Sequence, residues 1–191
     1  MVCAENSPTS VRMERIPYLG HTILRWQVGP STFLALPEKG ARLMHWNVTL
    51  GDGTVRDLLH WPELGSLDDF AKIRGGNPVL FPFAGRTYDR GAHEAYPFDY
   101  EFTVSYRFEP NGFHVEFELT NHGTKPLPWS AGHHFYFNLP WTAGLSRRDY
   151  LLEVTAARTL RRTETGQLVD GPRLQPRETL DNPALLDTMF A

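Results

Sequence analysis

Phe98-Asp99-Tyr100-Glu101-Phe102-Thr103-Val104-Ser105-Tyr106-Arg107-Phe108 alternates aromatic or apolar side chains with polar ones without a break. After Glu109-Pro110-Asn111-Gly112 the alternation resumes, with Phe113, Val115, Phe117 and Leu119 on one side and His114, Glu116, Glu118 and Thr120 on the other. Successive side chains on a strand point to opposite faces, so this period of two describes a pair of half-buried strands. Asn111-Gly112 between the two runs predicts a hairpin, because those residue types accept the left-handed backbone that tight turns need.

Working outward, shorter runs predict strands over Thr22 to Val28, Ser31 to Leu36, Arg42 to Val48, Val55 to Trp61 and Tyr150 to Ala156, each bounded by Gly, Pro, Asn or Asp. Only Ser66 to Ile73 reads as a helical turn. The 15 prolines and 16 glycines fall between short strands, and no strand alternates with a helix, so the pattern is that of an antiparallel all-β sandwich or barrel. Arg161 to Leu180, with Gly166, Gly171, Pro172 and Pro176 among charges, reads as a long surface loop, and Leu185 to Ala191 as the opening of a further strand. At 191 residues, a single domain spanning 1–191 is expected.

The bulk numbers narrow the partners. With 41% hydrophobic and 21% charged residues the chain is a globular protein able to bury a core. A net charge of −3 without a basic stripe argues against nucleic acid. The only cysteine is Cys3, which excludes an internal disulfide and a cysteine-based zinc site and suits a reducing compartment. The mixed polar stretch from Met1 to Arg15 has no apolar leader and no segment is long enough to span a bilayer, so a cytoplasmic protein without membrane contact is expected.

Two segments concentrate chemistry. Ser130-Ala131-Gly132-His133-His134-Phe135-Tyr136-Phe137-Asn138-Leu139-Pro140 sets paired histidines among aromatic faces that suit the apolar faces of sugars. On a strand His133 and His134 point opposite ways, so they cannot chelate one ion, and at most one of them faces a cleft. His93, His114 and His122 show no ligand spacing, and no metal is expected. The second segment, Arg74-Gly75-Gly76-Asn77-Pro78-Val79-Leu80-Phe81-Pro82-Phe83-Ala84-Gly85-Arg86, brackets a proline-stiffened strand between two arginines, whose fixed donors suit hydroxyl, carboxylate or phosphate groups. A solvent-facing arginine beside a turn is the plainer reading of Arg74. Neither a Gly-x-Ser-x-Gly elbow nor a phosphate-binding Gly-Lys-Ser/Thr loop is present.

These residues resemble the aldose 1-epimerase (galactose mutarotase-like) family. His134-Phe135-Tyr136-Phe137-Asn138-Leu139 is similar to its His-x-Tyr-Phe-Asn-Leu motif, and Asn77 to Arg86 to its Pro-x-Leu-Phe-Pro to Gly-Arg segment, in the same order. Pro37 to Leu43, Leu58-Leu59-His60-Trp61 and Tyr96-Pro97-Phe98 are fainter echoes. The resemblance implies an antiparallel β-supersandwich that interconverts sugar anomers by general acid/base chemistry, with no metal or organic cofactor. It implies that His134 protonates the ring oxygen, that Arg86 binds sugar hydroxyls, and that Asp187 is the later substrate-binding aspartate. Arg74-Gly75-Gly76 also resembles the hexose-6-phosphate branch, in which arginines hold a phosphate. The partner so implied is a small sugar or sugar phosphate.

Two departures shape the expectation. Only Thr87 to Ala95 separate Arg86 from Tyr96, where the family carries a segment ending in His-Gly, and His93-Glu94 does not replace it. The family's catalytic glutamate lies beyond the aspartate, and no residue here matches it, which predicts an incomplete sandwich with impaired turnover. The alternatives are a carbohydrate-binding module without turnover and a truncated, inactive fragment.

Overall fold

The structure is a computed structural model that describes residues 11–82 and 96–191. The chain divides into two compact units, Met1–Asn138 and Leu139–Ala191.

In the first unit, β1 (Arg12–Tyr18), β2 (His21–Val28), β3 (Ser31–Leu36), β4 (Arg42–Thr49) and β5 (Val55–Asp57) form an antiparallel five-stranded meander in chain order. β6 (Val79–Leu80) pairs with β9 (Gly132–His133), and β7 (Tyr100–Glu109) pairs with β8 (Gly112–Asn121). The hairpin predicted from the alternation is therefore present. Its turn sits one residue earlier than the Asn-Gly signal placed it: Glu109 pairs with Gly112, so Pro110 and Asn111 occupy the two turn positions. Ser31 Oγ donates to the Pro110 carbonyl at 2.6 Å and accepts from Trp46 Nε1 at 3.1 Å, which ties this turn to β3 and β4.

Both faces of the meander are covered. On one face Trp26, Val28, Phe33, Ala35 and Leu43 bury against Val104, Tyr106 and Phe108 of β7, with Phe33 stacked on Phe108 at 4.3 Å between ring centroids. On the other, Ile23, Leu36 and Met44 pack with Leu67, and Trp61, Phe70 and Ile73 lie against them. A register shift explains how Leu43 and Trp46, three apart in sequence, reach the same face. Phe33 pairs with Trp46 and Ala35 with Leu43, leaving one extra residue on β4 between them. The expected helical turn is a short 3₁₀ segment, Phe70–Lys72. The predicted strand over Val55 to Trp61 ends at Asp57, and Leu59 continues as an isolated bridge to Phe137.

The second unit corrects the expectation of a long loop between Arg161 and Leu180. β11 (Thr159–Arg162) is the centre of a three-stranded sheet, flanked by β12 (Leu168–Asp170) and β14 (Thr188–Phe190), while β10 (Leu151–Glu153) pairs with β13 (Arg177–Thr179). Strands this short carry too little periodicity to be read from sequence among the surrounding charges. The strand opening expected near Leu185 is β14, and it finds its partner in β11. The Tyr150 hydroxyl accepts from the Trp141 and Thr142 amides and so closes the segment that precedes β10. The all-β, antiparallel class expected from the sequence is what the described residues form.

Candidate active site

The site is assembled from chain segments far apart in sequence. The His60 amide donates to the Tyr136 carbonyl at 2.8 Å, the Tyr136 amide to the Gly76 carbonyl at 2.9 Å, and the Gly76 amide to the His60 carbonyl at 2.7 Å. Asn138 reaches back to Leu58, and the Asn77 amide donates to the Leu43 carbonyl. Segments 58–60, 76–80 and 132–138 are thereby stitched together and attached to β4.

This stitching requires the two glycines of Arg74-Gly75-Gly76. Gly76 has a φ of +64°, and a Cβ there would lie 2.2 Å from the Leu43 carbonyl oxygen. A Cβ on Gly75 would lie 2.7 Å from the Pro62 ring. Only a residue without a side chain lets this segment lie against the β4 backbone.

Asn77 follows and is fully buried. Its Oδ1 accepts from the His134 amide at 3.2 Å, an amide that also reaches the Pro78 carbonyl, and its Nδ2 lies 2.9 Å from His133 Nδ1. The alternation expected of the paired histidines holds. The His133 ring lies over Phe117 and beside Phe135, toward the hairpin, whereas the His134 ring sits 5.0 Å from that of Tyr136. His134 is exposed. One edge of His133 is open to solvent and the other faces the buried amide, and desolvation of that inner edge lowers its pKa below the ordinary histidine value.

Arg42 connects the Tyr136 face to a cavity. Its guanidinium is buried, donates to the Ile73 carbonyl at 3.0 Å, and stacks over the Phe70 ring at 4.3 Å. Burial lowers its pKa, an effect partly offset by the Tyr136 phenol nearby. Ile73 and Arg74 line a cavity of about 460 Å³ together with His60, Ser66, Asp69 and Lys72. It is open to solvent, and Pro62 and Leu64 complete its lining. Asp69 and Lys72 pair across its rim at 3.2 Å. His134 does not line the cavity; it is linked to it through Tyr136, whose carbonyl holds His60.

The sequence-predicted residues are thus distributed unevenly. His134 belongs to the stitched network, whereas Arg74 lies two residues before its Gly76 and is exposed at the cavity. Arg86 lies outside the described residues, as do His93 and the Thr87 to Ala95 segment. Asp187 is in the second unit, exposed and with a φ of +58°, immediately before β14. Sequence reading assigned no role to Asn77, Arg42 or His60. An asparagine before proline reads as a turn, and an arginine at a strand start reads as solvent-facing. Among the described residues, no group of three or more acidic, histidine or cysteine side chains is placed to hold a metal ion.

The sequence model of the family described as aldose 1-epimerase matches residues 83–190, more than half of the chain. The chain belongs to the aldose 1-epimerase family. No curated protein sequence matches it. Among solved structures it is similar to the crystal structure of a galactose mutarotase-like protein from Clostridium acetobutylicum, with a TM-score of 0.64 at 16% identity. The alignment covers 84% of this chain and 63% of that one, so the chain spans less than two thirds of its structural neighbour. At that identity the likeness establishes the fold, which is galactose mutarotase-like. Among the described residues, no helix is long and apolar enough to cross a membrane.

Proposed function

We propose that this aldose 1-epimerase family member, as one domain spanning 1–191, acts on the anomeric centre of a hexose or hexose phosphate. His134 is the general acid. The anomeric hydroxyl gives up its proton to a carboxylate or to solvent, the bond from the anomeric carbon to the ring oxygen breaks, and His134 protonates that oxygen. Rotation of the resulting carbonyl and reclosure yield the other anomer. Arg74, Arg86 and Asp187 are the sugar-binding residues, and no cofactor takes part.

The observation that carries this reading is the opposite facing of the two histidines. His133 is engaged by Asn77 and Phe117, which leaves the His134 ring beside Tyr136, and the backbone ladder between Tyr136 and Gly76 fixes the segment that follows Arg74, a residue lining the neighbouring cavity. Membership in the family supplies the substrate class.

Polarimetry on freshly dissolved α-glucose, α-galactose and their 6-phosphates tests it. The chain should accelerate mutarotation over the spontaneous rate, and His134→Ala should lower the catalysed rate by about 100-fold or more, the usual cost of losing a general acid. An unchanged rate in His134→Ala removes the assignment. Calorimetric binding of a hexose without acceleration would instead identify a carbohydrate-binding module.

A further inference from the structure

The Asn77 side chain reaches both histidines, the ring of His133 and the backbone amide of His134. Its amide has one acceptor and two donors, and the structure fixes which end faces which partner. The His134 backbone N–H can only donate, so the atom facing it at 3.2 Å is the carbonyl oxygen Oδ1. The NH₂ group is then the end directed at His133 Nδ1, 2.9 Å away. A donor on that side requires Nδ1 to be a bare acceptor. His133 in this state is therefore neutral, with its proton on Nε2.

We propose that Asn77 is the positioning residue of the site, and that it couples the protonation of His133 to the backbone of His134. A proton on His133 Nδ1 would face the Asn77 NH₂ group, donor against donor. To satisfy it the amide must turn over and offer Oδ1 to His133, and the His134 amide then keeps only the Pro78 carbonyl, also at 3.2 Å. Because Asn77 is fully buried, water cannot supply a partner to its displaced NH₂ group, and the exchange is felt along the chain.

The surroundings of His133 leave this coupling undisturbed by other charges. The ring faces Phe117 of β8, Phe135 of its own segment and Asn77; its strand partner on β6 is Val79. The charged residues of β8, Glu116 and Glu118, alternate to the opposite side of the hairpin from Phe117. Among the described residues, no ion pair involves His133, whereas His21, His45, His114 and His122 each lie near a carboxylate. The lowered pKa of His133 agrees with a ring that is held neutral.

The inference rests on the assignment of His134 as the acid. Its test does not, because it reads ring and backbone signals whether or not any sugar turns over. Nitrogen-15 NMR of the full chain labelled at histidine reports the tautomer and titration of each ring. In the wild type His133 should be the Nε2–H tautomer at pH 7.5 and should titrate below about 6.5, the ordinary histidine value. In Asn77→Asp the second carboxylate oxygen replaces the NH₂ group. His133 should then switch to Nδ1–H and its midpoint should rise, since a carboxylate favours the imidazolium. The backbone amide of residue 134, followed in His134→Gln to remove that ring's own titration, should move with the His133 midpoint and lose this movement when His133→Phe is added. A wild-type His133 that is charged or Nδ1-protonated at pH 7.5 overturns the proposal. So does an Asn77→Asp variant with unchanged tautomer and midpoint, or a residue-134 amide indifferent to His133. Where a variant fails to fold, the wild-type tautomer and the tracking of the two signals decide.

Discussion

Replacing Gly76 by alanine is the sharpest probe of how the site is built. Two separate costs meet at this position. The backbone has a φ of +64°, which costs a non-glycine residue about 1–2 kcal/mol. The added methyl would also lie 2.2 Å from the Leu43 carbonyl oxygen and 3.0 Å from Met44 Cα, both main-chain atoms of β4 that cannot rotate away. Relieving such an overlap in a packed interior costs about 1–3 kcal/mol. The sum is about 2–5 kcal/mol. At about 2–4 °C per kcal/mol for a chain of this size, Tm should fall by roughly 4–20 °C. Gly40 separates the two causes, because its φ is +67° and nothing lies within 4 Å of its would-be Cβ. Gly40→Ala should show the backbone cost alone. The assay is thermal and urea unfolding followed by circular dichroism on the two variants in parallel. Equal shifts for Gly76→Ala and Gly40→Ala would refute the claim that close approach to β4, rather than backbone conformation, is what demands glycine here.

Three further outcomes are expected. Phe33→Ala should destabilise by about 3–5 kcal/mol in urea unfolding, since the ring is fully buried and stacked on Phe108. Ser31→Ala should cost about 1–3 kcal/mol by the same assay, because it strips a partner from both the Trp46 indole N–H and the Pro110 carbonyl at a fully buried position. A loss near zero would mean that the hydroxyl is not what ties the turn to the sheet. For His133 the folded-state pKa lies below the unfolded value, so its contribution is complete above about pH 6.5 and declines as pH falls, the unfolded chain taking up the proton first. The loss should level off below the lowered folded value. Urea unfolding at pH 7.5 and 5.5 should show a smaller pH-dependent loss in His133→Phe than in the wild type, and identical losses would contradict this.

How much of this was legible in the sequence depends on how local each feature is. The β7–β8 hairpin could be read because its alternation is written in adjacent residues and its register follows from the turn, although Pro110 moved that turn by one position. β1 escaped because Pro17 interrupts it and most of its residues are exposed, leaving only a faint alternation. The strands of the second unit escaped because three or four residues among charges carry almost no period. His134 and Arg74 were legible as residue types inside motifs. Asn77 and Arg42 were not, because what they do depends on partners in distant segments: a histidine 56 residues away for the first, and the Ile73 carbonyl for the second.

The stitching of segments 58–60, 76–80 and 132–138 has a kinetic consequence. Contacts between residues 56 and 57 apart in sequence require a long loop to close before they return any stabilisation, whereas the β7–β8 hairpin closes over its own two-residue turn. No local piece of the chain can display Asn77 against His133 and His134. The paired histidines acquire their opposite roles only when the long-range ladder is complete, so protection of the His134 amide from hydrogen exchange is a measure of finished folding of the first unit.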